Sequence, residues 1–311
     1  MAVLTIALSA HGSEKVFQPR LVGDWWQVAG NPDLGPLTSK EQEPVDFGIW
    51  QAADGTWQIW SCIRKTKETG KTRLFHRWEG KKLTDKNWKP MGIAMQADPK
   101  LGETPGGMQA PFVFRTDGRF LMHYGSWEYI CSAESTDGKN FTRIVNSDGK
   151  TRIFERQGDD RARDAFTVRI GDKWHCYYVA HPNKLGAIYC RTSPDLKTWS
   201  APVVVARGGR SGTGAYSAEC PVVIELSPGN FYLFRTQKYG TGAQTMVYYS
   251  KDPMNFGVDQ DEKNYICKLS IAAPEIFQYK SEWYIAALLP SLKGIQIGRL
   301  TWEQTKPPGQ N

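Results

Sequence analysis

One pattern of apolar and polar positions recurs five times along the chain: a short apolar strand, a tight polar turn, and a second strand that opens on an aromatic residue. The first copy runs from Phe47 to Ala52, turns at Asp54-Gly55, and resumes at Trp57-Gln58-Ile59-Trp60. The second is Pro111 to Phe114, Asp117-Gly118, then Phe120 to Tyr124; the third is Ala165 to Val168, Gly171-Asp172, then Trp174 to Tyr178. The fourth is Pro221 to Ile224, Pro228-Gly229, then Phe231 to Phe234; the fifth is Pro274 to Phe277, Lys280-Ser281, then Trp283 to Ala286. Turn residues that tolerate positive φ, flanked by β-branched and aromatic residues, predict β-hairpins. The opening aromatic falls at 57, 120, 174, 231 and 283, once every 52 to 63 residues, a little long for a four-stranded propeller blade and accounted for by loops on one rim.

A second landmark follows four of the hairpins: Asp85-Lys86-Asn87-Trp88, Asp137-Gly138-Lys139-Asn140-Phe141, Asp195-Leu196-Lys197-Thr198-Trp199 and Asp252-Pro253-Met254-Asn255-Phe256. It marks the passage from the third to the outermost strand of a blade. No segment carries a long helical period, and Gly and Pro are scattered throughout. The expected fold is therefore all-β, a five-bladed β-propeller over residues 40–303. Residues 1–39 are expected to pack on a rim or complete a blade, and residues 304–311 to form a loose tail.

Composition narrows the partners. Aromatic residues make up 12% of the chain, which strands explain in large part and sugar platforms in the remainder. Lys and Arg number 39 against 32 acidic residues, a net charge of +7. The basic residues form no long run, which argues against nucleic-acid binding and leaves a mildly basic surface that attracts anionic polysaccharides. The six cysteines show neither a Cys-x-x-Cys pair nor zinc spacing, so no metal or cofactor is expected. No stretch is long and apolar enough to span a membrane. Met1 to Ala10 is apolar and contains Ala7-Leu8-Ser9, a small-x-small pattern, without a leading basic residue. An export signal and a plain first strand both remain open, and the expected location is secreted or periplasmic. The chain is expected to act as a monomer on a carbohydrate.

Acidic residues recur just before the first strand of a blade, where they would face the funnel mouth: Asp46, Asp164, Glu219 and Glu275. A carboxylate beside a buried strand is costly unless it is bonded or used, and several converging on one axis suit paired-acid chemistry. Arg163-Asp164, followed by Ala165 to Val168 and Gly171 to Trp174, resembles the Arg-Asp-Pro segment of glycoside hydrolase family 32. Glu219-Cys220-Pro221 resembles the Glu-Cys-Pro segment of the same family, and the order Asp, Asp, Glu also resembles family 43. The chain departs from family 32 in lacking the Asn-Asp-Pro-Asn-Gly element, where Glu43 to Gly48 stands, and in carrying Ala165 in place of proline.

The resemblance implies a glycosidase acting on a terminal, furanosidic bond in an oligo- or polysaccharide. Glu219 would be the general acid, its pKa raised by a neighbouring carboxylate, and Asp46 the nucleophile or general base. Asp164 would hold sugar hydroxyls and tune Glu219, with Arg163 orienting the carboxylates. Asp33 is the rival of Asp46. Trp50, Trp127, His181, Arg235 and Tyr239 are the expected substrate contacts, with Glu275 supporting them; an anionic sugar would call on Arg235 or Arg64. The alternatives are a non-catalytic carbohydrate-binding propeller, or a phosphorylase using Arg207 and Arg210.

Overall fold

The computed structural model of the chain describes residues 15–309; the stretch Met1 to Ala10 lies outside them. These residues fold into five antiparallel sheets arranged as a five-bladed β-propeller. The first strand, β1 (Val16–Gly30), stands apart from the first blade. Blade 1 comprises β2 (Glu43–Gln51), β3 (Trp57–Arg64), β4 (Leu74–Gly80) and β5 (Lys89–Met95). Blade 2 comprises β6 (Gln109–Thr116), β7 (Arg119–Gly125), β8 (Ile130–Ser135) and β9 (Thr142–Arg143). Blade 3 comprises β10 (Arg163–Ile170), β11 (Lys173–Ala180), β12 (Ala187–Ser193) and β13 (Val203–Gly208).

Blade 4 comprises β14 (Glu219–Ser227), β15 (Asn230–Lys238), β16 (Gln244–Ser250) and β18 (Tyr265–Leu269). The short β17 (Val258–Asp259) that precedes β18 pairs in parallel with β13, so blade 4 lends a strand to its neighbour. Blade 5 comprises β19 (Glu275–Tyr279), β20 (Glu282–Leu288) and β21 (Gly294–Thr305), and β1 adds to β21 as its outermost strand. The β1–β21 pairing runs from Val16 opposite Thr305 to Gly30 opposite Gly294. The segment before blade 1 thus closes the ring.

The five hairpins lie where the apolar pattern puts them. In the β6–β7 turn both Asp117 and Gly118 have positive φ (50° and 75°), as the tight right-twisted connection requires. In the β19–β20 turn Lys280 and Ser281 do the same without glycine (51° and 66°). The Asp-led landmark is a local cap. Asp137 Oδ1 accepts from the amides of Lys139 and Asn140, and Asp195 Oδ1 from those of Lys197 and Thr198.

The opening aromatics hold blade to blade. The Trp57 ring packs at 5.6 Å from Phe277 of blade 5, and Trp174 at 5.3 Å from Phe114 of blade 2. Such ring pairs add about 0.5–1.5 kcal/mol each beyond the area they bury. Around the axis the inner strands touch in order: β2, β6, β10, β14, β19 and back to β2. They crowd so closely that a Cβ at Gly48 would lie 2.4 Å from the Pro111 carbonyl oxygen.

Every inner strand enters the sheet through the same distortion. The ladder shifts register by one residue at Asp46, Ala110, Asp164 and Cys220, and each of these has φ between 38° and 56°. Ala273 (φ 49°) takes the corresponding place just before β19. A bulge re-aims the side chain it carries. This five-fold ring of left-handed residues encircles the mouth of the axial channel.

Candidate active site

That ring sets which acids share a position. Asp46 and Asp164 sit on the bulge itself, two blades apart. Glu219 sits one residue before its bulge, at the place that Gln109 and Arg163 occupy in blades 2 and 3. Glu275 lies two residues past its bulge, level with Phe112 and Phe166. The sequence reading aligned all four acids as equivalent; the one-residue bulges correct it. Glu275 consequently lies deeper, in a narrow crevice of about 20 Å³ lined also by Phe112, Phe166, Asp46 and Asp164. Burial there pushes its carboxyl well above the ordinary value.

Above the crevice opens a cavity of about 190 Å³ lined by Asp46, Glu219, Arg163, Tyr239, His181, Trp127, Gln109, Tyr216 and three further arginines, Arg64, Arg73 and Arg161. Blades 1 to 4 all contribute.

The carboxylates are tied into one network. Arg163 grips Glu219 with two hydrogen bonds, Nη2 to Oε1 at 2.6 Å and Nε to Oε2 at 3.2 Å. Its Nη1 donates to His181 Nδ1 at 2.6 Å, which requires that ring nitrogen to be unprotonated. Burial, with Arg163 and Arg161 nearby, holds the His181 pKa down to about 4, so the ring is neutral at neutral pH. Burial works against the charge on Arg163, but Glu219 and Asp164 outweigh it and raise its pKa.

Asp164 is almost fully enclosed, at 3% exposure. Its Oδ2 accepts from the Cys220 amide at 3.2 Å, while Oδ1 has no protein partner. Burial first, then the charges of Glu219 and Asp46, push its carboxyl well above the usual range, and a hydrogen bond with Glu219 adds to the effect. Asp46 is held from the other side: Tyr239 Oη donates to its Oδ1 at 3.0 Å and Cys220 Sγ at 3.4 Å. Burial and the Asp46 charge keep the Tyr239 hydroxyl protonated far above its ordinary pKa.

Several expected contacts lie elsewhere. Trp50 points away from the axis: its Nε1 donates to the Gly138 carbonyl, and its ring packs against Trp60 and Phe141. Three strand residues separate it from Asp46, which carries it out of the funnel. Arg235 is 1% exposed and donates to the carbonyls of Ser217, Gly208 and Gly212, so it braces the loop before Glu219 and does not reach the cavity. Asp33 caps a surface turn through the Gly35 amide and the Thr38 hydroxyl. Arg207 pairs with Asp259, and Arg210 lies over the Tyr265 ring; neither lines the cavity.

Trp127 does line it, with the Lys71 ammonium 5.0 Å and the Arg73 guanidinium 5.1 Å from its ring centre. The sequence reading missed Gln109, Arg73, Arg161 and Tyr216. Gln109 had a signal, since it stands one residue before a bulge as Arg163 and Glu219 do. Among the described residues no group of three or more His, Cys, Asp or Glu could hold a metal ion, and no helix is long and apolar enough to cross a membrane.

The architecture has known counterparts. A thermostable family-43 glycoside hydrolase superposes with a TM-score of 0.61 at 17% identity, over 88% of this chain and 96% of the other. The two chains share the five-bladed β-propeller fold. An endo-arabinase from Bacteroides thetaiotaomicron gives 0.61 at 14% identity, over 85% and 94% of the two chains. A Bombyx mori family-32 β-fructofuranosidase mutant, in complex with sucrose, gives 0.62 at 16% identity over 92% of this chain and 65% of that one. No protein-family model matches the sequence, and no curated protein matches it.

Proposed function

We propose that this protein is a secreted or periplasmic, monomeric glycosidase that cleaves a terminal, furanosidic bond in an oligo- or polysaccharide. The observation that carries this reading is the meeting of Asp46, Asp164 and Glu219 from three different blades, Asp46 and Glu219 lining the cavity and Asp164 the crevice beneath it, with Arg163 between Asp164 and Glu219. Fold likeness to arabinan- and fructofuranoside-cleaving proteins supports the substrate class.

In this reading Glu219 delivers a proton to the glycosidic oxygen as the bond from that oxygen to the anomeric carbon breaks. Asp164, whose burial pushes its carboxyl well above the usual range, stands beside Arg163 beneath the cavity. Arg163 orients Glu219 and limits the charge that builds up once the proton has gone. Asp46, aimed by Tyr239 and Cys220, meets the positive charge developing on the sugar, either by attacking the anomeric carbon or by directing a water to it.

A panel of chromogenic α-L-arabinofuranosides, β-D-fructofuranosides, galactofuranosides and β-D-xylosides tests the proposal. Turnover of at least one, falling by about 10²–10⁴ in both Glu219→Gln and Asp46→Asn with binding kept, is the expected result. Sugar binding without turnover in the unmodified protein would replace the enzyme with a binding propeller. Turnover only in the presence of inorganic phosphate would replace it with a phosphorylase.

A further inference from the structure

The cavity holds more positive charge than its acids can use. Arg64 is paired with Glu43 at 2.7 Å, and Arg163 with Glu219 at 2.6 Å. Arg73 and Arg161 form no ion pair among the described residues, although both line the cavity. Of the remaining acids, Asp46 is bonded to a tyrosine hydroxyl and a thiol, and Asp164 lies in the crevice below and does not line this cavity.

The two unpaired arginines come from different walls. Arg73 stands in the β3–β4 loop of blade 1, half-buried, with its guanidinium over the Trp127 ring. Arg161 stands on the exposed rim just before β10 of blade 3, with φ at 60°. A neutral sugar gives two such guanidiniums no charge to meet, and crowding four arginines into one cavity costs electrostatic energy unless an anion joins them. Planar forks of this kind match carboxylate, sulfate and phosphate oxygens two at a time.

We propose that the sugar taken by this cavity carries an anionic substituent, a carboxylate, sulfate ester or phosphate ester, bound by Arg73 and Arg161. This deepens the glycosidase reading and rests on it, because it places the anion on the substrate and leaves Asp46 and Glu219 to the bond. Trp127, already fixed by Arg73, would then meet the sugar beside its charged group.

Calorimetric binding to matched pairs of oligosaccharides tests the inference. Uronate-containing oligosaccharides are compared with their carboxyl-reduced forms, sulfated galactans with desulfated ones, and sugar phosphates with the dephosphorylated sugars. At least one anionic member should bind tenfold or more tightly than its neutral partner, the preference weakening with added salt. The arm that shows it identifies the anion. Arg73→Gln and Arg161→Gln should each reduce the preference several-fold, while Arg73→Lys and Arg161→Lys keep part of it with unchanged melting temperature. Glu219→Gln, which frees Arg163 and so adds to the positive charge, should not weaken the preference, so loss of turnover and loss of anion selectivity are read separately. Equal affinity for the members of every pair would overturn the inference. Tight binding of inorganic phosphate, accompanied by phosphate-dependent turnover, would overturn it too.

Discussion

Arg163 and Glu219 occupy the same point of neighbouring blades, each one residue before a left-handed bulge, and the two side chains bind each other through a pair of hydrogen bonds of 2.6 and 3.2 Å. One backbone device thus delivers both the proposed acid and its partner. The contact is enclosed, with side-chain exposures of 7% and 9%.

Because the pair is enclosed, Arg163→Met should strand Glu219 and cost about 3–5 kcal/mol of stability, read by urea denaturation. Arg163→Lys keeps a charge but not the two-pronged geometry. Its kcat should fall at least tenfold with the fold retained, and the pH–rate profile should move because the Arg163 charge, 3.9 Å from Asp164, opposes the upward push that burial gives that carboxyl. A lysine variant with an unaltered profile would remove Arg163 from the mechanism.

Tyr239→Phe deletes the hydroxyl that donates to Asp46 and leaves the ring in place. A hydrogen bond to a charged group is worth about 1.5–3 kcal/mol, so kcat/KM should fall about 10- to 100-fold with little change in melting temperature. If Asp46 takes no part in the reaction, the two proteins will turn over alike.

Glu275 makes stability depend on pH in a defined direction. Burial raises its native pKa above the ordinary 4.5, so the folded state prefers the protonated form. Its contribution is complete below pH 4.5 and is lost as the pH climbs through the native value, each tenfold displacement of the proton equilibrium costing about 1.4 kcal/mol. Glu275→Gln has no proton to lose. Calorimetric melting between pH 4 and 9 should show the variant gaining on the parent as the pH rises; parallel curves would contradict the assignment.

Arg235→Met should destabilise the protein by about 2–4 kcal/mol, since it leaves the Ser217, Gly208 and Gly212 carbonyls without a donor. The proteolytic susceptibility of residues 208–217 should rise in the same variant. A direct contact between Arg235 and substrate would instead raise KM with the loop still protected.

Much of the fold was legible because a hairpin advertises itself locally. Asp117-Gly118 between two apolar runs needs no tertiary information, and the ring of blades follows once the unit is counted. What the sequence did not reveal was long-range or single-residue geometry. The pairing of β17 with β13 joins residues some 50 apart, Arg207 to Val258, and nothing in either segment announces the other. The bulges shifted Glu275 out of line with Asp164, although Ala110, Cys220 and Ala273 occupy the equivalent positions without any shared side-chain chemistry. Arg235 was misread because a strand-borne arginine looks the same in sequence whether it faces carbonyls or solvent. Arg73 and Arg161 stand in loops, where spacing carries no directional information.

The seam between β1 and β21 joins Val16 to Thr305, so its two halves are made at opposite times during synthesis. Bringing together ends that far apart carries an entropic cost recovered only after the intervening blades have docked. Four blades can assemble behind the ribosome, but the circle shuts only when β21 has emerged. Until then β1 waits as an unpaired ribbon, and blade 1 lacks the neighbour that bears Phe277. The blade carrying Asp46 therefore gains its second flanking neighbour only once the C-terminal blade has been made.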